Sequence, residues 1–91
     1  MSRAYVMDFS GGTLDQYNQV LEKMDLGGKT APGGIFHWVA ETEDGFRVVD
    51  VWETSEAYDQ FAQEKIGPIT AEVGLAPPKV QEYEVHNTLA S

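Results

Sequence analysis

Apolar positions along the chain switch between two periods, and the switches mark its elements. Tyr5, Met7 and Phe9 alternate with Ala4, Val6 and Asp8, and the run stops at Ser10-Gly11-Gly12, which predicts a strand over Arg3 to Phe9. Both of its faces are mostly apolar, as in a central strand. The period then lengthens: Leu14, Tyr17, Leu21 and Met24 share one helical face, and Thr13 with Gln16 three residues on forms a capping box. A helix over 14–24 follows, closed by Leu26-Gly27-Gly28.

Period two returns in Ile35 to Glu41 and in Phe46 to Trp52, joined by Thr42-Glu43-Asp44-Gly45, whose Asp-Gly step predicts an antiparallel hairpin. Glu53-Thr54-Ser55 offers capping hydroxyls, and Ala57, Tyr58, Phe61, Ala62 and Ile66 recur at helical spacing, which predicts a second helix over 55–66. Gly67-Pro68 predicts a kink or restart, because proline lacks an amide proton but suits a first helical position. After Ala76-Pro77-Pro78 a last strand is expected from Lys79 to about His86.

The resulting order, β-α-β-β-α-β, predicts an α+β chain of ferredoxin-like type: one domain over residues 1–91, a four-stranded antiparallel sheet, and both helices on one face. Ile35, Val39, Val49, Val51 and Tyr5 cannot all turn toward two short helices. The uncovered sheet face is therefore expected to pair with a second copy, giving a homodimer by sheet-to-sheet packing.

Composition narrows the partners. Fifteen acidic residues against six basic ones give a formal charge of −9, which repels nucleic-acid phosphates and anionic lipid headgroups. The chain has no cysteine, so thiolate chemistry and disulfides are excluded. No apolar run approaches the roughly 20 residues of a membrane span, and Met1-Ser2-Arg3-Ala4-Tyr5 lacks the pattern of a signal peptide. A cytoplasmic protein with neither nucleic-acid nor membrane partners is expected. Two histidines among scattered carboxylates make no metal-ligand spacing, and no flavin or nicotinamide motif appears, so no metal and no cofactor is expected.

Candidate chemistry gathers on the hairpin. If Glu41 pairs with Phe46, His37 lies opposite Asp50 on the same sheet face, and a carboxylate beside an imidazole can fix its tautomer for acid-base work. A slip of one residue puts Trp38 there instead. The pair is read either as a catalytic dyad or as a histidine satisfied within the core or interface. Asp8 is a further carboxylate that could join it, and His86 falls near a strand end. Trp38, Trp52, Tyr58 and Phe61 are the aromatic candidates for a ligand pocket, with Phe36, Tyr17 and Tyr83 as further aromatics; the alternative is that they fill a small core. Arg47 could pair with Glu41 or with an anionic ligand, and a cross-strand ion pair is the ordinary expectation.

The hairpin and following helix, from Gly34-Ile35-Phe36-His37-Trp38 through Val51-Trp52-Glu53-Thr54-Ser55-Glu56-Ala57-Tyr58-Asp59-Gln60-Phe61, resemble the dimeric α+β barrel superfamily. In particular they look like small actinobacterial proteins related to antibiotic biosynthesis monooxygenases. The resemblance implies cofactor-independent oxygenation or cyclisation of an aromatic or polyketide-like small molecule. The alternative is a non-catalytic binding or assembly protein of the same fold. The family pattern often carries a histidine one turn into the second helix; this chain has Phe61 there, so no haem ligand or base is carried over to that position.

Overall fold

The computed structural model describes residues 2–89. Strand β1 (Arg3–Ser10) is followed by helix α1 (Leu14–Met24), strands β2 (Gly34–Thr42) and β3 (Gly45–Trp52), helix α2 (Ser55–Phe61), a π-helical turn (Ala62–Ile66), helix α3 (Gly67–Glu72) and strand β4 (Lys79–Glu84). The sheet is antiparallel in the order β2-β3-β1-β4, with β1 central as its two apolar faces require. This is the ferredoxin-like α+β arrangement. No helix among the described residues is long and apolar enough to cross a membrane.

Local signals set most boundaries. Thr13 accepts from the Gln16 amide while the Gln16 side chain accepts from the Thr13 amide, so the capping box starts α1 where the sequence puts it. Its end falls at Met24 as expected, but the cap is Asp25, at φ 54°, which makes the left-handed turn ahead of Gly27 and Gly28. Thr54 caps α2 through the Ala57 amide. The kink or restart expected at Gly67-Pro68 takes the form of a widened turn followed by a new α-helix from Gly67, in which the Gly67 amide reaches back to the Ala62 carbonyl and both Ile66 and Gly67 stay helical. A five-residue step just ahead of Pro68 accommodates a residue that has no proton to donate, so the chain stays helical through to Glu72. Strand β4 ends at Glu84, two residues short of the expected His86.

Strand pairing gives the two sheet faces different tasks. Tyr5, Met7, Phe9, Phe46, Val48 and Trp52 point toward the helices and form the core, with Val20 of α1 and Tyr58 of α2. Alternate residues point away, so Tyr83, Ala4, Val51 and Phe36 make one cross-strand row and Gln81, Val6, Val49 and Trp38 the next. On that outer face Phe36, Trp38 and Tyr83 are 58%, 42% and 51% exposed. Of the five apolar residues expected to overflow the helices, Tyr5 and Val39 join the helix-side packing, whereas Val49 and Val51 lie outside.

Candidate functional site

The β2–β3 hairpin carries the site. Glu41 pairs with Phe46 and His37 with Asp50, the register that joins the two site residues. The turn is tighter than the expected four-residue loop, because Thr42 and Gly45 are themselves paired. At the other end the ladder shifts: Gly34 faces Trp52 and Phe36 faces Val51, leaving Ile35 as a bulged extra residue. The bulge separates Ile35 from the position opposite Trp52 that a regular ladder would give it.

His37 Nδ1 lies 2.6 Å from Asp50 Oδ1, and Trp52 Nε1–H donates to Asp50 Oδ2 at 3.3 Å. Asp50 is only 6% exposed, so each carboxylate oxygen is met by a nitrogen donor rather than by bulk water. A carboxylate that accepts from Nδ1–H leaves Nε2 with the lone pair of the neutral imidazole. Tyr17 Oη sits 2.6 Å from that Nε2, and its ring lies 8° from parallel to the imidazole. Tyr17, His37, Asp50 and Trp52 thus form one continuous hydrogen-bonded chain. Burial, and then the charge of Asp50, raises the Tyr17 pKa above its ordinary value, so its hydroxyl keeps its proton at neutral pH.

A cavity of about 570 Å³ opens beside this chain, between the sheet, α1 and the 25–31 loop. Tyr17, Leu21 and Met24 line it from the helix, and His37, Asp50 and Trp52 from the sheet. Phe61 lies against Trp52, ring centres 5.3 Å apart, and lines the cavity. Tyr58 does not line it: the ring is stacked on Tyr5 at 3.6 Å and edge-on to Trp52, with its hydroxyl 3.6 Å from Met7 Sδ, so it supports the wall from behind. Trp38, also expected at the pocket, is a correction: it follows His37 directly and alternation sends it to the outer face.

Two further expectations resolve elsewhere. Asp8 pairs with Arg47 through contacts of 2.6 and 3.1 Å, across the outer rows of β1 and β3, so Arg47 makes a cross-strand ion pair with Asp8 rather than Glu41, and Asp8 does not join His37. The hydrogen bond from Arg47 lowers the Asp8 pKa. His86 lies exposed beyond β4. Among the described residues no group of three or more metal-ligating side chains comes together. The contact that the sequence left unread is Tyr17 on Nε2; its spacing with Leu14, Leu21 and Met24 marked a helix face and its ring a possible cleft aromatic, but neither pointed to His37.

No protein-family model matches the chain, and no curated protein matches it. Solved structures do. The cofactor-independent oxygenase SnoaB of Streptomyces nogalater superposes with a TM-score of 0.70 at 17% identity, over 99% of this chain and 98% of that one. A candidate antibiotic biosynthesis monooxygenase from Chloroflexus aurantiacus gives 0.70 at 14%, with the same coverage. The ActVA-Orf6 monooxygenase of Streptomyces coelicolor, solved with nanaomycin D, gives 0.58 at 19%, over 99% and 91%. At these identities the likeness is one of fold.

Proposed function

We propose that the chain is a cofactor-independent oxygenase of an aromatic, polyketide-like small molecule, with His37 as the base and Asp50 as the group that fixes its tautomer. The observation that carries this reading is the buried Asp50 on Nδ1, which leaves Nε2 basic at the wall of a largely apolar cavity. Imidazolium formed on proton uptake is stabilised by the adjacent carboxylate. The substrate anion left behind is electron-rich and passes an electron to dioxygen. Recombination forms a carbon–oxygen bond, and the resulting hydroperoxide loses water to leave a carbonyl. A methylene and one dioxygen thereby give one carbonyl and one water. SnoaB and ActVA-Orf6, which share the fold, are described as oxygenases and lend support. Oxygen uptake with 1,8-dihydroxyanthrone tests the reading: the protein should accelerate it over buffer, and His37→Gln should lower kcat about 100-fold or more. An undiminished His37→Gln variant removes His37 as base.

The same reading includes a homodimer. Phe36, Trp38, Val49 and Tyr83 form an apolar outer face that the helices leave open, and a second copy of the same face is its economical cover. A cysteine-free chain gains nothing from an oxidising compartment, and the cytoplasm is its proposed location.

A further inference from the structure

His37 has one lone pair to offer, and Tyr17 already holds it. With Nδ1–H committed to Asp50, Nε2 is the only basic position on the ring, and Tyr17 Oη occupies it at 2.6 Å. While that hydrogen bond stands, no substrate proton reaches His37 directly. Either Tyr17 leaves when substrate binds, or the proton travels through it.

The surroundings of Tyr17 favour the second course. Its ring lies nearly parallel to the imidazole and end to end with it, ring centres 5.9 Å apart across the hydrogen bond, and meets the edge of Phe46 at 5.7 Å and 68°. It sits in the first turn and a half of a helix whose start is pinned by the Thr13–Gln16 capping box, and the Gln16 side chain also donates to the Val73 carbonyl near the end of α3. Swinging the phenol away breaks the hydrogen bond to Nε2 and the edge contact together. Among the described residues Tyr17 Oη has no other hydrogen-bond partner, so its oxygen retains acceptor capacity on the cavity side.

We propose that Tyr17 is a catalytic proton relay: its oxygen accepts the acidic proton of the substrate as its own proton passes to His37 Nε2. One substrate O–H or C–H bond and the Tyr17 O–H bond break, while a new Tyr17 O–H bond and the Nε2–H bond form. The products are a substrate anion and an imidazolium paired with Asp50. The raised Tyr17 pKa fits a hydroxyl that passes protons in one concerted event rather than resting as a phenolate. The inference rests on His37 being the base, and extends that site by the residue that touches the substrate.

Tyr17→Phe and His37→Gln, each compared with wild type, test it in two assays. In oxygen uptake with 1,8-dihydroxyanthrone, Tyr17→Phe should lower kcat at least about tenfold with KM within about twofold. In binding, Tyr17→Phe should weaken 2,6-dihydroxyanthraquinone, whose hydroxyl meets the relay oxygen, and leave its dimethoxy analogue unchanged. Circular dichroism confirms that the variant is folded. If Tyr17→Phe keeps or raises kcat and binds both ligands more tightly, Tyr17 is a displaceable plug and the relay is overturned while His37 stands. If His37→Gln retains the wild-type rate, or wild type does not exceed buffer, the base reading fails and takes the relay with it.

Discussion

His37 and Asp50 face each other across a directly opposed β2–β3 pair, with Nδ1 2.6 Å from Oδ1, so the sheet ladder rather than a mobile loop sets the distance. Asp50 also holds the Trp52 indole, which fixes its second oxygen. An amide in its place has only one oxygen for these two N–H donors. Asp50→Asn should therefore lower kcat about 100-fold or more by disturbing the His37 tautomer. It should cost about 1–3 kcal/mol of stability through the donor left unmet. Steady-state oxygen uptake and urea unfolding measure the two effects.

Tyr58 gives a prediction at alkaline pH. Burial first, and then nearby carboxylates led by Asp50, push its pKa from 10.0 up to about 12. The unfolded chain ionises first, so the stabilisation is complete below pH 10 and is lost as pH rises from there toward 12. Two pKa units correspond to about 2–3 kcal/mol. Urea unfolding between pH 8 and pH 11 should show wild type losing stability more steeply than Tyr58→Phe. Tyr5 and Tyr17, also raised by burial, should leave a residual slope.

Gly45 ends the hairpin turn against β1. A Cβ there would lie 2.0 Å from the Phe9 carbonyl oxygen, a backbone atom with no room to retreat within a paired strand. Gly45→Ala should destabilise by about 1–3 kcal/mol or more, read as a lowered urea midpoint. Gly27→Ala, where the added carbon meets nothing but φ is +66°, separates pure backbone strain from this clash and should cost less.

The outer sheet face predicts association. Wild type should sediment at twice the chain mass at micromolar concentration, and Trp38→Glu should shift the equilibrium toward single chains, because it sets a charge in the middle of the apolar rows. A wild type that stays single at high concentration overturns the pairing.

Much of the fold was legible because its causes are local. The Thr13–Gln16 box, the Thr54 cap and the alternation of β1 and β3 act over a few residues, and they locate α1, α2 and the strands. Where expectation and structure differ, neighbours decided. At Gly67-Pro68 the restart was legible, but not its form, a wider turn just before the proline. Trp38 leaves the pocket because a strand cannot send two successive side chains to one face.

The sequence by itself put His37 and Asp50 on the two strands of one hairpin but left the register open, and the strand ladder decided that they stand opposite each other. It did not determine what meets the other nitrogen. Tyr17 lies twenty residues before His37, on a helix whose depth and rotation over the sheet are set by packing against Phe46 and by contacts with α3. Periodicity names the buried face of a helix, but only tertiary packing decides which residue on that face comes within 2.6 Å of an imidazole.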